Sequence, residues 1–142
     1  MTQDDKDLLL QDLCARLPYG VKVESVFINT DTKKRKSCGI EVFDVTCILM
    51  IRDGFGEFKP YLFPLSSMTD EQRKEFLSVA GYERRVEDYG RHTETYYYDM
   101  VGHECEFYPN SDVIDYCNKN HLDYRGLIKK GLAIDATGLN IY

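Results

Sequence analysis

The segment from residue 110 to 131 limits the fold of this chain more than any other. It reads NSDVIDYCNKNHLDYRGLIKKG and predicts a helix, a tight break and a second short helix. Asp123 stands where an N-cap acceptor belongs, and Gly131 stands where a helix stops. We therefore predict two helices in this part of the chain, with Val113 and Cys117 on the inner side of the first.

Two earlier helices are each preceded by a capping pattern. A threonine-aspartate pair beginning at Thr2 precedes a leucine-rich stripe, which predicts an amphipathic helix over residues 3–17. A capping box beginning at Thr69 predicts a middle helix that ends at Ala80.

Alternating apolar residues predict the strands of the first half. Residues 21–29 and 40–51 are separated by a polar loop, so we predict an antiparallel hairpin with 40–51 as the central strand. Leu49 belongs to the fully apolar face of that strand and is expected in the core. The run 58–63 predicts another strand, at an edge or interrupted, because Pro60 cannot donate a ladder hydrogen bond.

A second hairpin is predicted further along the chain. Residues 93–99 and 102–108 have strand patterns, whereas 82–92 is charged and reads as irregular. The fold class is therefore α+β, with a small antiparallel sheet of about five strands in two or more hairpins. An N-terminal helix, a middle helix and two C-terminal helices pack this sheet, and residues 1–142 form a single domain.

The charge distribution argues against a nucleic-acid partner. The net charge is −6, and residues 83–115 alone carry nine acidic and three basic side chains. Such a chain repels phosphate backbones. The basic run at 33–36 could grip phosphate or an acidic protein patch, or it could simply be a solvated hairpin tip.

The cysteines and the N-terminal residues favour a cytoplasmic location. Five cysteines form no Cys-x-x-Cys pair, and Cys14 and Cys47 fall on apolar stripes. Acidic residues stand where a signal peptide would carry basic ones, and no apolar run is long enough to span a bilayer. We expect a reduced, cytoplasmic protein with no membrane association.

Four side chains could in principle hold a metal. His103 and Cys105 share one strand face, and Cys117 and His121 share one helix face, which would suit tetrahedral zinc. The alternative reading, which we favour, is that the two thiols are structural. No metal site and no cofactor are therefore predicted, and no nucleophile elbow or phosphate loop assigns a catalytic residue.

Tyrosines in and beside the acidic segment have two readings. Tyr96, Tyr97 and Tyr98 put rings on both faces of one strand, with Tyr89 nearby. They could present rings and negative charge to a basic protein partner, or they could fill the core and favour the strand.

Three stretches resemble a known family. They are LLLQDLCARLPYGVKV (8–23), KPYLFPLSSMTDEQRKEF (59–76) and NKNHLDYRGLIKKGLAI (118–134). They are similar to small uncharacterised proteins from phages and mobile elements of gut anaerobic bacteria. The resemblance implies a mobile-element setting. That family has no assigned reaction, so no catalytic residue carries over.

Two functional classes follow. The first is a non-enzymatic accessory protein that acts by protein–protein interaction. The second is a small ligand- or nucleotide-handling protein, which could be an enzyme, with a site between the sheet and the C-terminal helices. Its binding residues would be Lys59, Tyr61, Tyr124 and Arg125. We expect Arg125 to find an acidic partner inside the fold rather than a ligand.

Overall fold

The computed structural model describes residues 1–99 and 111–142, with the side chains of 82–86 and 95–99 outside the described part. The chain forms two compact units. Unit 1 comprises Met1–Ser67 and Asn118–Tyr142, and unit 2 comprises Met68–Cys117.

The helices and strands of the described residues follow one another in this order: α1 (Gln3–Arg16), β1 (Lys22–Ile28), β2 (Arg35–Val42), α2 (Val45–Asp53), β3 (Gly56–Leu62), α3 (Asp70–Ala80), β4 (Tyr82–Asp88), β5 (Thr93–Asp99), α4 (Ser111–Lys119) and β6 (Ile134–Asp135).

The strands form two sheets. A four-stranded sheet has the order β2-β1-β3-β6, and β4 and β5 form a separate two-stranded sheet. β1 pairs antiparallel with both β2 and β3, whereas β3 pairs parallel with β6. The predicted α+β class is confirmed. The expected single five-stranded antiparallel sheet is replaced by a mixed sheet of four strands and a hairpin.

The prediction of one central strand over residues 40–51 is wrong. β2 ends at Val42, and the Asp44 carboxylate then accepts a hydrogen bond from the Cys47 backbone N–H at 3.1 Å, which caps α2. Those backbone bonds hold the pKa of Asp44 below its usual range. A helix forms here instead of a strand because a cap precedes the apolar run and Gly54 ends it in the left-handed conformation.

This change reverses the roles of several residues. β2 lies at the edge of the sheet with all eight residues exposed, and the predicted antiparallel pairing with β1 is confirmed. Leu49 lies on α2 and is 45% exposed, so its assignment to the core is wrong. Phe43, between the strand and the helix, is buried and meets the Phe58 ring edge-on at 6.0 Å.

The third strand, predicted to lie at an edge or to be interrupted at Pro60, pairs with β1 over residues 56–60 and with β6 over its last two residues only. β3 lies inside the sheet, between β1 and β6. The sheet accommodates Pro60 because β6 pairs only with Tyr61 and Leu62. The missing N–H therefore falls where β3 has β1 as its one partner strand among the described residues.

The core of unit 1 lies between the sheet and its helices. The predicted first helix is confirmed as α1, with the Thr2–Asp5 capping box in place. Its buried leucines join residues of β1, α2, β3, the segments before β1 and α2, and the C-terminal segment. Together these core residues are Leu9, Leu13, Val21, Val23, Phe43, Cys47, Phe58, Leu62, Leu127, Leu132 and Ala133. Cys14 is exposed, so its assignment to the apolar stripe is wrong.

Unit 2 contains the middle helix and the hairpin. The capping box of Thr69 and the stop at Gly81 are confirmed for α3. The prediction that the charged residues 82–92 are irregular is wrong, because β4 occupies most of them and pairs with β5. The predicted strand over 102–108 lies outside the described residues, as do the side chains of Tyr96–Tyr98.

The first of the two C-terminal helices is confirmed as α4, but the second is replaced by turns. Asp123 does act as an acceptor, with its carboxylate bound by the N–H groups of Leu127 at 2.8 Å and Ile128 at 2.9 Å. Gly126 has a φ of 71°, which is outside helical geometry and breaks the segment after one turn.

Candidate functional sites

A buried ion pair lies on the inner side of α1. Asp12 and Arg16 are both completely buried, and Arg16 Nε donates to Asp12 Oδ2 at 2.7 Å. Arg16 Nη2 donates to Asp12 Oδ1 at 3.1 Å and to the carbonyl of Leu122 at 2.8 Å. The pair therefore ties the first helix to the C-terminal segment inside unit 1.

Tyr124 and Arg125 extend this pair into a cluster. Arg125 Nε lies 3.3 Å from Asp12 Oδ1 and donates to the Tyr124 hydroxyl at 3.1 Å. Arg125 Nη1 donates to Gln11 Oε1 at 3.2 Å. The expected acidic partner of Arg125 inside the fold is thus confirmed as Asp12. The guanidinium is engaged in holding the chain together.

His121 lies buried beside this cluster. It is 9% exposed, and its ring stacks on that of Tyr142 with centroids 3.9 Å apart. Among the described residues its Nδ1 has no hydrogen-bond partner. Burial, with the positive charges of Arg16 and Lys22, lowers the pKa of His121 to about 4. The ring is therefore neutral at physiological pH.

Tyr142 also connects two strands. Its hydroxyl accepts from the Lys22 backbone N–H at 3.0 Å and donates to the Tyr61 carbonyl at 2.8 Å. Lys22 and Tyr61 are the next pair in the β1–β3 register, so the phenol stands where a direct ladder bond would form. Burial raises the pKa of Tyr142 to about 12, which keeps the hydroxyl protonated as a donor.

A groove of about 270 Å³ lies in unit 1 between α1 and β3. Its walls are largely apolar and include Leu9, Leu10, Ile51 and Phe58. Three charged residues also line it: Lys6, Glu57 and Lys59. The groove therefore combines apolar surface with a small number of polar groups, as ligand sites do.

The open edge of the sheet is a further candidate. Each residue of β2 is exposed, and Ile40 and Val42 are each 52% exposed. Val45 and Leu49, one turn apart on α2, are exposed as well. These four apolar side chains fall within one ten-residue stretch, 40–49, that begins four residues after the end of the basic run at Lys36.

The four sequence-predicted binding residues are divided between different places. Tyr124 and Arg125 belong to the cluster around Asp12, and Lys59 lines the groove. Tyr61 is buried, which raises the pKa of its phenol, and its carbonyl holds Tyr142. The sequence reasoning missed Asp12 and Arg16, although their spacing of four residues beside Leu13 was an available signal.

The candidate metal ligands can be followed only in part. Cys117 and His121 are buried, whereas His103 and Cys105 lie outside the described residues. Over residues 1–99 and 111–142, no group of three or more His, Cys, Asp or Glu side chains is arranged to hold a metal ion.

Comparison with protein families, curated proteins and solved structures finds no match to this chain. Within the described residues, none of the helices has the length and apolar character needed to cross a membrane.

Proposed function

We propose that this chain is a non-enzymatic protein-interaction module whose partner adds an extended segment to the open edge of β2. The observation that carries this proposal is the exposure of Ile40 and Val42 on a strand that has one neighbour in the described sheet. An unpaired strand edge offers a row of N–H and C=O groups to another chain.

The hydrogen-bond register identifies which groups are offered. Phe43 N–H donates to the Val21 carbonyl at 2.9 Å, and the pairs alternate along an antiparallel ladder. Glu41, two residues before Phe43, therefore also points its backbone groups toward β1. Ile40 and Val42 point theirs toward the open side.

The other half of β2 is protected from pairing. Its register shifts between Ser25 and Val26 of β1, which leaves Cys38 as the extra residue of a bulge. Lys36 precedes this bulge, and both a bulge and an edge lysine discourage edge-to-edge association. The stretch from Gly39 to Val42 lies beyond these two features and remains the place for a partner strand.

The charges beside this edge define the chemistry of the partner. Lys33, Lys34 and Lys36 are exposed at the start of the strand, while Arg35 is bound to Glu57. The partner is therefore an extended segment with apolar residues opposite Ile40 and Val42 and acidic residues beside the lysines. This proposal takes up one of the two interpretations of the basic run at 33–36, namely that it contacts an acidic protein patch.

The setting of this interaction follows from the resemblance to proteins of phages and mobile elements. An accessory protein of such an element would use the edge to hold a protein of the element or of its host. Support for this setting comes from the three sequence stretches, whereas the mode of binding is argued from the strand edge. A cytoplasmic location is part of the same proposal.

Binding of designed peptides tests the proposal. The probe is a fluorescein-labelled ten-residue peptide of alternating Val and Thr with three Asp at one end, measured by fluorescence anisotropy. We expect micromolar binding that weakens at least tenfold when the Asp residues are replaced by Lys, and that also weakens with salt.

Two substitutions at one position make the test specific. Val42→Pro removes an N–H that points to the open side, so peptide binding should fall at least tenfold while the melting temperature stays within a few degrees. Val42→Thr keeps the N–H and is the matched control. Equal binding by both variants would overturn the proposal. So would a concentration-dependent dimer lost with Val42→Pro in sedimentation, since the occupant would then be a second copy.

A further inference from the structure

We propose that the groove between α1 and β3 binds a small amphipathic anion, an alkyl chain with a carboxylate head. This site is separate from the strand edge of β2. It is built from the wall residues of α1, from the first half of β3, and from the end of α2.

The apolar part of the groove suits an alkyl chain. Leu9 and Leu10 of α1 line it together with Phe58 of β3, Ile28 and Ile51. The groove volume of about 270 Å³ exceeds the roughly 150 Å³ of an apolar cavity that holds benzene. A chain of eight to ten carbons is therefore within the capacity of the site.

The backbone of β3 adds hydrogen-bond donors. Ile28 N–H donates to the Phe55 carbonyl at 2.8 Å, so the alternating register points the backbone groups of Gly56 and Phe58 away from β1. β6 pairs only with Tyr61 and Leu62. In the described sheet, Gly56 and Phe58 therefore have no partner strand on that side.

The charged residues favour an anion over a cation. Lys6 and Lys59 are both lining residues, and both are exposed. Glu57 is the one acidic residue among the lining side chains, and Arg35 Nη1 donates to its Oε1 at 2.9 Å. The charged lining residues are thus two lysines and one glutamate that is ion-paired with Arg35, in a chain whose net charge is −6.

These features together distinguish the head from the tail of the ligand. A carboxylate can accept from a lysine ammonium at the rim, while the alkyl chain displaces water from the leucine and phenylalanine surface. A neutral alkane would leave the lysines unused, and an extended peptide would bring backbone carbonyls as well as N–H groups against the apolar walls.

Titration calorimetry with the full chain tests the proposal. The probes are decanoate, octanoate and decyltrimethylammonium, each below its micellar concentration. We expect one equivalent of decanoate to bind, and octanoate to bind about fifteenfold more weakly for two fewer buried methylene groups. The cation should bind at least tenfold more weakly than decanoate. Equal binding of anion and cation, or several weak sites, would overturn the inference.

Variants locate the site. Lys6→Gln and Lys59→Gln should each weaken decanoate binding about three- to tenfold, whereas Lys74→Gln, an exposed change on α3, should not alter it. Amide chemical shifts of Leu10, Gly56 and Phe58 should move on titration. Unchanged binding in both groove variants, or shift changes confined to other residues, would rule the groove out.

The result is independent of the strand-edge proposal. Val42→Pro should leave decanoate binding unchanged, because Val42 is not among the lining residues. Displacement of bound decanoate by the acidic peptide would show that a peptide occupies the groove, and this would overturn the assignment of an alkyl anion.

Discussion

The ring of His121 stacks on the ring of Tyr142 with centroids 3.9 Å apart and planes 11° from parallel. This contact holds the phenol in place while its hydroxyl bridges Lys22 of β1 and Tyr61 of β3. One side chain from the C-terminal segment therefore completes a sheet contact that the two strands do not make directly.

Removing the hydroxyl should destabilise unit 1. Tyr142→Phe keeps the stacked ring but leaves the Lys22 N–H and the Tyr61 carbonyl without their shared partner, at a cost of about 1–3 kcal/mol. Urea denaturation at pH 7 measures the change. Tyr19→Phe is the control, since its phenol is not part of this bridge, and an equal loss in both variants would contradict the role of the hydroxyl.

Acid should weaken the protein through His121. Its pKa is about 4 when folded and 6.5 in the reference state, so the fold favours the neutral ring. This contribution is fully present above pH 6.5. As the pH falls from there toward 4, the unfolded chain binds a proton at this ring but the folded chain does not. The free energy of unfolding therefore falls by about 3 kcal/mol.

Denaturation midpoints between pH 7 and pH 4 measure this loss. His121→Asn removes the titrating ring, and asparagine tolerates the φ of 55° at this position. The variant should be less stable at pH 7 but should lose less on acidification. His92→Asn, on the exposed hairpin, should keep the wild-type slope, and an unchanged slope in His121→Asn would assign the effect to other groups.

Removal of one charge from the Asp12–Arg16 ion pair should destabilise the protein. Asp12→Asn leaves the buried Arg16 guanidinium without its carboxylate and should destabilise the protein by about 3–5 kcal/mol. Calorimetric or denaturant unfolding measures it, with Asp7→Asn on the exposed side of α1 as control. The double change Asp12→Leu with Arg16→Met should cost less than Asp12→Asn alone, because the completely buried guanidinium is then removed as well and the remaining cation, Arg125, is 21% exposed.

A comparison of one buried and one exposed leucine tests which residues form the core. Leu13→Ala removes a completely buried side chain and should cost about 2–5 kcal/mol. Leu49→Ala changes a side chain that is 45% exposed on α2 and should cost less than about 1 kcal/mol. Urea midpoints of the two variants, measured side by side, check the assignment. A larger loss of stability for Leu49→Ala would contradict it and would support the predicted central strand over residues 40–51.

Local signals were enough to predict part of the fold. The capping boxes at Thr2 and Thr69 act between neighbours in the sequence, so they predict α1 and α3 correctly. Asp123 was identified as a backbone acceptor for the same reason. The α+β class follows from the mixture of such helices with alternating strands.

The remaining features depend on competition between signals or on distant contacts. Residues 45–53 have an apolar run that fits either a strand or a helix, and the Asp44 cap decides between them. The β3–β6 pairing and the Tyr142 bridge join residues far apart in sequence, so no local pattern reports them. The contact of Arg125 with an acidic group was expected, but its identity as Asp12 required the fold.

The division of the chain into two units has a kinetic consequence. Unit 2 is inserted between the two stretches that build unit 1, so β6 can pair with β3 only after the chain has closed a loop around the whole insertion. Closing a long loop carries an entropic cost that local hairpins avoid. The three antiparallel strands β2-β1-β3 can assemble from contiguous residues during synthesis, whereas the fourth strand of the sheet must wait until unit 2 has been made.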